Sequence, residues 1–453
     1  MVAGRVAVVG GGVAGLSTAL RLVDAGLDAV VFERDPIVGG IVAPPIEVGG
    51  LALEPGPDSF AARKPWGVAL GEELGIPLED PGASGSFLWT PVGLVPTLRG
   101  APFGIPGDVG DVLRWPGLSA RGRFRALGDL ILRKRRADAP EETLGGLLRR
   151  RLGDEATDRA LAPLLAGLHA GDVDLLSSAA TFPELLAWEA AQGSLIRGAQ
   201  AAERAAHRAE VVGPLFRRPR GGMRRLIDAL ETSLGERVMT DREVVGAAPA
   251  EVRLRDGVEP VDAVVLACRA GGAAAILAAA APAELGRIRS VSTAVVFLVY
   301  PPGTADALPD GTGFVVPRGE APMTAATFLS RKWPDESFED RAVVRCYVGG
   351  EGAEDVVQEP DCDIVDACAR HLAAVLDLPA PAAARVHRWT KAMPQYEVGH
   401  LARVEAIHRG LPPGIFVVGC DLDGVGVSDL IRAAGDTAER VLARVSEARK
   451  EPA

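Results

Sequence analysis

The chain has 453 residues, of which 48% are hydrophobic and 24% charged, and its formal net charge is −11. That is enough material for two or three domains with real cores. The acidic balance argues against a nucleic-acid partner, and no window reaches the roughly 18 consecutive apolar residues of a membrane span.

The N-terminus enters a strand by residue 5, so no leader is expected. The cysteines Cys268, Cys346, Cys362, Cys368 and Cys420 are odd in number and scattered. Without a leader they read as reduced thiols in a cytoplasmic protein. Cys362 and Cys368 with His371 match no zinc spacing, and no metal site is expected.

Arg5–Val9 is a short apolar run that predicts a strand. Gly10-Gly11-Gly12-Val13-Ala14-Gly15 follows, then a helix to Gly26 with Leu16, Ala19, Leu20 and Val23 at helical spacing. Ala29–Phe32 is a second strand, ending at Glu33. Gly10, Gly12 and Gly15 thus form Gly-x-Gly-x-x-Gly between strand and helix, with an acid at the end of the next strand. Gly10 makes the tight turn, Gly12 lets a pyrophosphate approach the backbone, and Gly15 lets the helix pack on the sheet. The helix N-terminus offers unpaired N–H groups and a positive dipole end. Glu33 is placed to accept from a ribose and disfavours a 2′-phosphate, so NADP is not expected. Arg34-Asp-Pro-Ile-Val-Gly39-Gly40 continues from the second strand and bends the choice toward FAD.

Glu54-Pro-Gly-Pro-Asp-Ser59 is turn-dense, with backbone N–H groups free for a ligand. Pro65 suits the start of a helix and Gly75 its end. Arg63 and Lys64 sit at that start, where the dipole does not welcome cations. They are either a solvated basic edge or an anion-binding pair. Phe87–Trp89 and Gly93–Val95 are strand-like. Helices are then predicted over 120–136, 142–152, 155–168 and 181–200. The first is basic and amphipathic, and an ordinary surface helix is slightly favoured over one that lies on an anionic membrane.

At 219 the chain returns to the nucleotide unit, with a helix over 224–234 and strands over 237–239, 243–245, 251–255 and 263–267. Strands over 292–300, 313–316, 325–329 and 342–348 suggest one antiparallel sheet of a second domain, and 362–376 is helical. Gly414–Gly419 is a last buried strand, running through Asp421–Val427 into a helix over 428–448. This second strand–glycine turn–helix suits a flavin: one helix dipole for the pyrophosphate, the other for negative charge on the reduced ring.

Together these pieces resemble the flavin-dependent protoporphyrinogen/coproporphyrinogen oxidases, most of all the bacterial soluble coproporphyrinogen III oxidase type. The marks run along nearly the whole chain: Gly56-Pro-Asp-Ser-Phe60 with Arg63-Lys64, Gly167-Leu-His-Ala-Gly-Asp172 with Thr181-Phe-Pro183, Gly311-Thr-Gly-Phe-Val315, Arg331-Lys-Trp-Pro334, Arg388-Trp389, Met393-Pro-Gln-Tyr396 with Val398-Gly-His400, and Gly424-Val-Gly426. The resemblance implies an α/β + α protein: a doubly wound FAD/NAD(P)-binding domain of amine-oxidase-like type, a mixed-sheet substrate domain and a helical insertion. Residues 1–85, 218–290 and 390–453 would form the FAD domain, 86–100 and 291–389 the substrate domain, and 101–217 the insertion.

The resemblance also implies FAD as cofactor and an oxidase of heme biosynthesis. It would take six electrons from coproporphyrinogen III to give coproporphyrin III, with dioxygen as acceptor. Protoporphyrinogen IX, or another small molecule oxidised by a paralogue, is the alternative; a flavin-bound scaffold is the non-enzymatic one. Cofactor contacts are implied at Gly10, Gly11, Gly12, Val13, Ala14, Gly15, Glu33, Arg34, Gly40, Gly56, Pro57, Asp58, Ser59, Val244, Trp389, Gly419, Gly424, Val425, Gly426 and Val427. Arg63, Lys64, His169 and Tyr347 would meet the tetracarboxylate substrate, though His169 could equally be a helix-end residue bonded to backbone. No side chain is assigned as catalytic acid or base. A cytoplasmic location, peripheral to the membrane, and transient contact with the next heme-pathway enzyme are compatible with this, and the oligomeric state is left open. The chain departs from the family pattern at Ile41, where Lys or Arg is usual, at Pro55, where Arg is common, and at Val427-Ser428-Asp429, where a Pro is usual.

Overall fold

The computed structural model describes residues 4–98, 101–136, 138–208 and 213–448. Its first layer is a five-stranded sheet in the order Val238–Met239, Asp28–Phe32, Arg5–Val9, Ala263–Leu266, Ile415–Val417. Every pairing is parallel, so both faces are covered and the strands are apolar on each. Val6, Val8, Ala263 and Val265 pack on the helices Val13–Asp24, Arg224–Leu234 and Val427–Ala448. Ala7, Val9, Val264 and Leu266 face the opposite core with Val252, Leu277 and Ile407.

The second sheet has seven strands, in the order Ala383–Pro394, Ser290–Pro302, Arg341–Gly349, Ala325–Phe328, Gly313–Val315, Phe87–Thr90, Gly93–Pro96. The four strands expected to form one antiparallel sheet do pair antiparallel, and the sheet as a whole is mixed, as the resemblance implies, because Gly313–Val315 runs parallel to Phe87–Thr90. One face packs Val296, Leu298 and Val344 on Ile364, Cys368 and Leu372 of the helix Asp361–Leu376. The other packs Val295, Phe297 and Val343 on Val48, Leu51 and Leu53 of a small hairpin.

Ala383–Pro394 was not legible as a strand. It is an edge strand, and edges carry charge; Arg385, His387, Arg388 and Lys391 hide its alternation. It runs through the expected boundary at 389/390. Phe216–Pro219 runs through the one at 217/218, pairing with Phe60–Ala61 and Leu78–Glu79. Residues 99–100, at the expected 100/101 boundary, lie outside the described residues.

The third region is helical, around Leu144, Leu147, Leu148, Leu161, Leu185 and Leu195. The expected helix over 120–136 stops early: Ala120–Leu127 is followed by one 3-10 turn to Leu130. Asp129 is the cause. Its carboxylate is fully buried and accepts from Arg151, Ser194 and the Ile196 N–H, while its carbonyl is taken by the Arg151 guanidinium. The expected helix over 155–168 contains a π turn at Thr157–Leu161, just before Pro163, which has no N–H for a regular ladder. The one expected over 181–200 is two helices, Pro183–Gln192 and Leu195–Arg208, parted at Gly193, whose φ is 68°. Among the described residues no helix is long and apolar enough to cross a membrane.

Candidate active site

The site begins where the strand Arg5–Val9 ends. Gly10 turns the chain at φ 113°, and a Cβ there would lie 2.7 Å from the Ala267 carbonyl oxygen. A Cβ on Gly15 would lie 2.0 Å from the Gly10 carbonyl oxygen. Packing alone therefore dictates these two glycines. Gly12 is different: its nearest neighbour would be Gly40 Cα at 3.9 Å. Among the described residues nothing requires a glycine there, whereas a ligand approaching the backbone would.

Behind Gly12 the helix Val13–Asp24 starts with no side-chain cap and no acid in its first turn. The N–H groups of Val13, Ala14 and Gly15 are left for an anion. Glu33 accepts from the N–H of Gly11 at 2.7 Å and of Asp35 at 3.0 Å, which fixes its carboxylate at the strand end. Each oxygen keeps a lone pair for a ribose hydroxyl. Arg34 is exposed, and Val244 is buried. Two residues before Val244, the Arg242 N–H donates to the Glu33 carbonyl at 2.8 Å.

The loop 54–59 is gripped from the seven-stranded sheet. Arg345 donates to the carbonyls of Glu54 (3.2 Å) and Gly56 (2.9 Å) and to the Asp58 carboxylate (2.9 Å). The Asp58 carboxylate also accepts from Lys332 at 2.9 Å and from the Ser59 hydroxyl at 2.8 Å, and Trp389 Nε1 donates to the Pro55 carbonyl at 3.1 Å. Burial opposes ionisation of Asp58, but Lys332 and Arg345 outweigh it and hold its carboxyl well below the usual carboxylate range. The side chains of Asp58 and Trp389 thus serve the loop, and the backbone of Gly56–Ser59 is what it can present to a ligand. Gly56 is obligatory, since a Cβ would lie 1.9 Å from the Ile41 carbonyl oxygen.

The second glycine turn carries Gly419 at φ 150° and Gly424 at φ 119°. Val425 and Gly426 lead from it into the C-terminal helix at Val427. Ser428, in the Val-Ser-Asp that replaces the family's usual Pro, bonds the Ala61 carbonyl at 3.3 Å. Asp429 takes two hydrogen bonds from Lys64, at 2.7 and 2.6 Å. A Cβ on Gly424 would lie 2.7 Å from Asp429 Cβ. Lys64 is therefore tied to this turn, and one of its three donors remains.

His169 is 5% exposed, at the end of a short 3-10 turn. Its carbonyl accepts from Gln395 at 2.9 Å, so a backbone bond exists, but the ring does not share in it. Nδ1 is buried with no partner among the described residues. Burial, then His400 and Lys64, push its pKa down to about 4, which keeps the imidazole neutral. Tyr347 is half-buried, its hydroxyl 3.2 Å from the Thr327 hydroxyl and its ring 5.1 Å from the Arg345 guanidinium. Arg63 is exposed. The structure thus links Lys64 to the second glycine turn through Asp429 and His169 to it through the Tyr396 ring, 5.6 Å away, and sets Tyr347 by Arg345 and the 54–59 loop.

Residues 13–442 match the model of the flavin containing amine oxidoreductase family. The chain belongs to that family. This flavin-containing oxidoreductase is 30% identical over 450 residues to a coproporphyrinogen III oxidase of Bacillus subtilis (strain 168), across 94% of this chain and 95% of the relative. It is 32% identical over 451 residues to one of Mycobacterium tuberculosis (strain ATCC 25618 / H37Rv), across 96% of each. A solved structure from Exiguobacterium sp. 255-15, assigned as a protoporphyrinogen oxidase, superposes with a TM-score of 0.85 at 29% identity, over 97% of this chain and 99% of that one. FAD is the cofactor, and the residues fit it: open space at Gly12, three uncapped N–H groups, Glu33 at the strand end and a second glycine turn at the start of another helix.

Sequence reasoning missed Asp429, Lys332 and Arg345. Lys332 lies inside the quoted Arg331-Lys-Trp-Pro334 stretch, which was the available signal. Asp429 and Arg345 gave none, because their partners are far away in the chain.

Proposed function

We propose that this flavoprotein oxidises coproporphyrinogen III to coproporphyrin III in heme biosynthesis. The observation that carries the proposal is full-length similarity, at 30 to 32% identity, to relatives named for that reaction. FAD, when bound, supplies the two-electron acceptor and hands electrons on to dioxygen. Three rounds remove six electrons and six protons from the macrocycle and reduce three dioxygen to three hydrogen peroxide.

The chain's own residues bind and orient. Lys64 keeps a donor for one substrate carboxylate, a charge-assisted bond, while Asp429 holds it in place. His169, buried and neutral, adds no second cation. Tyr347 and Arg345 shape the wall on the sheet side. No side-chain acid or base is assigned. In this proposal the seven-stranded sheet, including the hairpin 87–96, is the substrate domain, and the helical region is an insertion beside it. The location is cytoplasmic, with transient contact to the membrane surface or to the next enzyme.

The second reading is protoporphyrinogen IX as substrate, favoured by the Exiguobacterium structure. Anaerobic addition of each porphyrinogen separates the two. Fast bleaching of the flavin by coproporphyrinogen III, with slow bleaching by protoporphyrinogen IX, is the expected result. The reverse order would reassign the substrate, and no bleaching by either would remove porphyrinogens altogether.

A further inference from the structure

The stretch Met393-Pro-Gln-Tyr396 with Val398-Gly-His400 has no role in the reaction as described. In the structure it lies across the second glycine turn. Tyr396 is 3% exposed. Its hydroxyl donates to the Cys420 carbonyl at 2.5 Å and accepts from the Gly424 N–H at 2.8 Å. The hydroxyl's one donor and one of its two acceptor positions are thus spent on the two ends of the turn 420–424. The ring stacks on His400, 3.9 Å between centroids and 14° from parallel, and meets His169 at 5.6 Å.

The backbone beside Tyr396 is held from the helical region. The Ser177 N–H donates to the Tyr396 carbonyl at 2.7 Å. Gln395 Nε2 donates to the His169 carbonyl at 2.9 Å, and Leu176 forms a β-bridge with Glu397. His400 is 1% exposed at the first position of the helix His400–Gly410, a place that disfavours an imidazolium. The Leu422 carbonyl lies near its ring without a well-aligned hydrogen bond. Tyr396 therefore cannot turn without losing the ring stack and both bonds to the flavin-side turn.

We propose that Tyr396 is a positioning residue for FAD: its hydroxyl sets the turn 420–424 that leads into the C-terminal helix, and its backbone couples that turn to the helical region carrying His169. The inference rests on the flavin alone and is independent of which porphyrinogen, if any, is the substrate.

Tyr396→Phe keeps the ring and its stack on His400 and removes only the hydroxyl. The test is titration of the apoprotein with FAD, followed by the visible flavin spectrum. The expected result is a roughly tenfold weaker Kd for FAD, the scale of a lost buried hydrogen bond, and a shifted long-wavelength flavin band. Tyr300→Phe is the control. Its hydroxyl is also buried, but in the seven-stranded sheet and without a partner among the described residues, and its loss should change neither readout. A folded Tyr396→Phe with FAD affinity within about twofold of the parent and an unshifted band overturns the proposal. If the apoprotein of the variant does not fold, holoprotein prepared in excess FAD gives the same answer through FAD release. Release about tenfold faster supports the proposal, and an unchanged rate with an unshifted band overturns it.

Discussion

At the scale of single residues, two cations of the site do different work. The Lys64 side chain is 42% exposed and spends two donors on Asp429, so its ion pair is open to solvent and contributes little to folding. Lys64→Ala should leave the protein folded and raise KM for coproporphyrinogen III roughly tenfold with kcat nearly unchanged, the signature of lost uniform binding. Steady-state kinetics checks it, and an unchanged KM would take Lys64 out of the substrate site. Lys332 is the opposite case. It and Arg345 are buried around Asp58, so Asp58→Asn would strand two charges. A loss of about 3–5 kcal/mol in urea unfolding is expected, because breaking a buried pair costs more than an exposed one. Gly-Pro-Asp-Ser was legible as a loop, but the partners of Asp58 were not, since they stand 274 and 287 positions away. A linear pattern shows what a residue can offer and is silent on which distant group takes it.

At the scale of elements, local patterns carried the parallel sheet and both glycine turns. Apolar runs of four or five residues that end in glycine are strands buried on both faces, and the period that reveals them is complete within one turn of chain. Element ends were not legible where a tertiary partner sets them. The helix expected to reach Arg136 stops because Asp129 turns inward to Arg151, 22 residues on, and to Ser194, 65 residues on. The network is fully satisfied and dry, with neither Asp129 nor Arg151 exposed. Asp129→Ala should therefore cost about 3–5 kcal/mol by leaving Arg151 with only its longer ion pair to Glu189 at 3.5 Å, while the double change Asp129→Leu with Arg151→Met should cost far less. Denaturant unfolding of the three proteins tests this. Equal losses for the single and double changes would mean that the lost packing, and not the stranded charge, sets the cost.

At the scale of the whole molecule, buried histidines give the fold a direction in pH. Burial lowers the pKa of His169, His371, His387, His400 and His408, with neighbouring cations adding to the effect at several of them. His169 and His400 are pushed down to about 4. Between about 4 and the ordinary value near 6.5, the unfolded chain takes up protons that the folded chain refuses. Stability is then full above pH 6.5 and falls as pH drops toward 4, by about 1.4 kcal/mol per pH unit for each fully shifted histidine. Asp58 acts in the same direction at lower pH, since its depressed pKa contributes stability that is lost on acidification. The net charge of −11 opposes this trend, because acidification relieves self-repulsion. That repulsion is spread over an exposed surface and screened within about 8 Å at physiological salt, whereas the two deepest histidines alone supply nearly 3 kcal/mol per pH unit. The histidines should therefore win. Unfolding free energy of the holoprotein at 0.15 M salt is expected to fall steadily from pH 7 to pH 5, and His400→Phe, which keeps a ring against Tyr396, should flatten the slope by about one proton. A stability that is level or rises over that interval would mean that one or both rings take up a proton while folded.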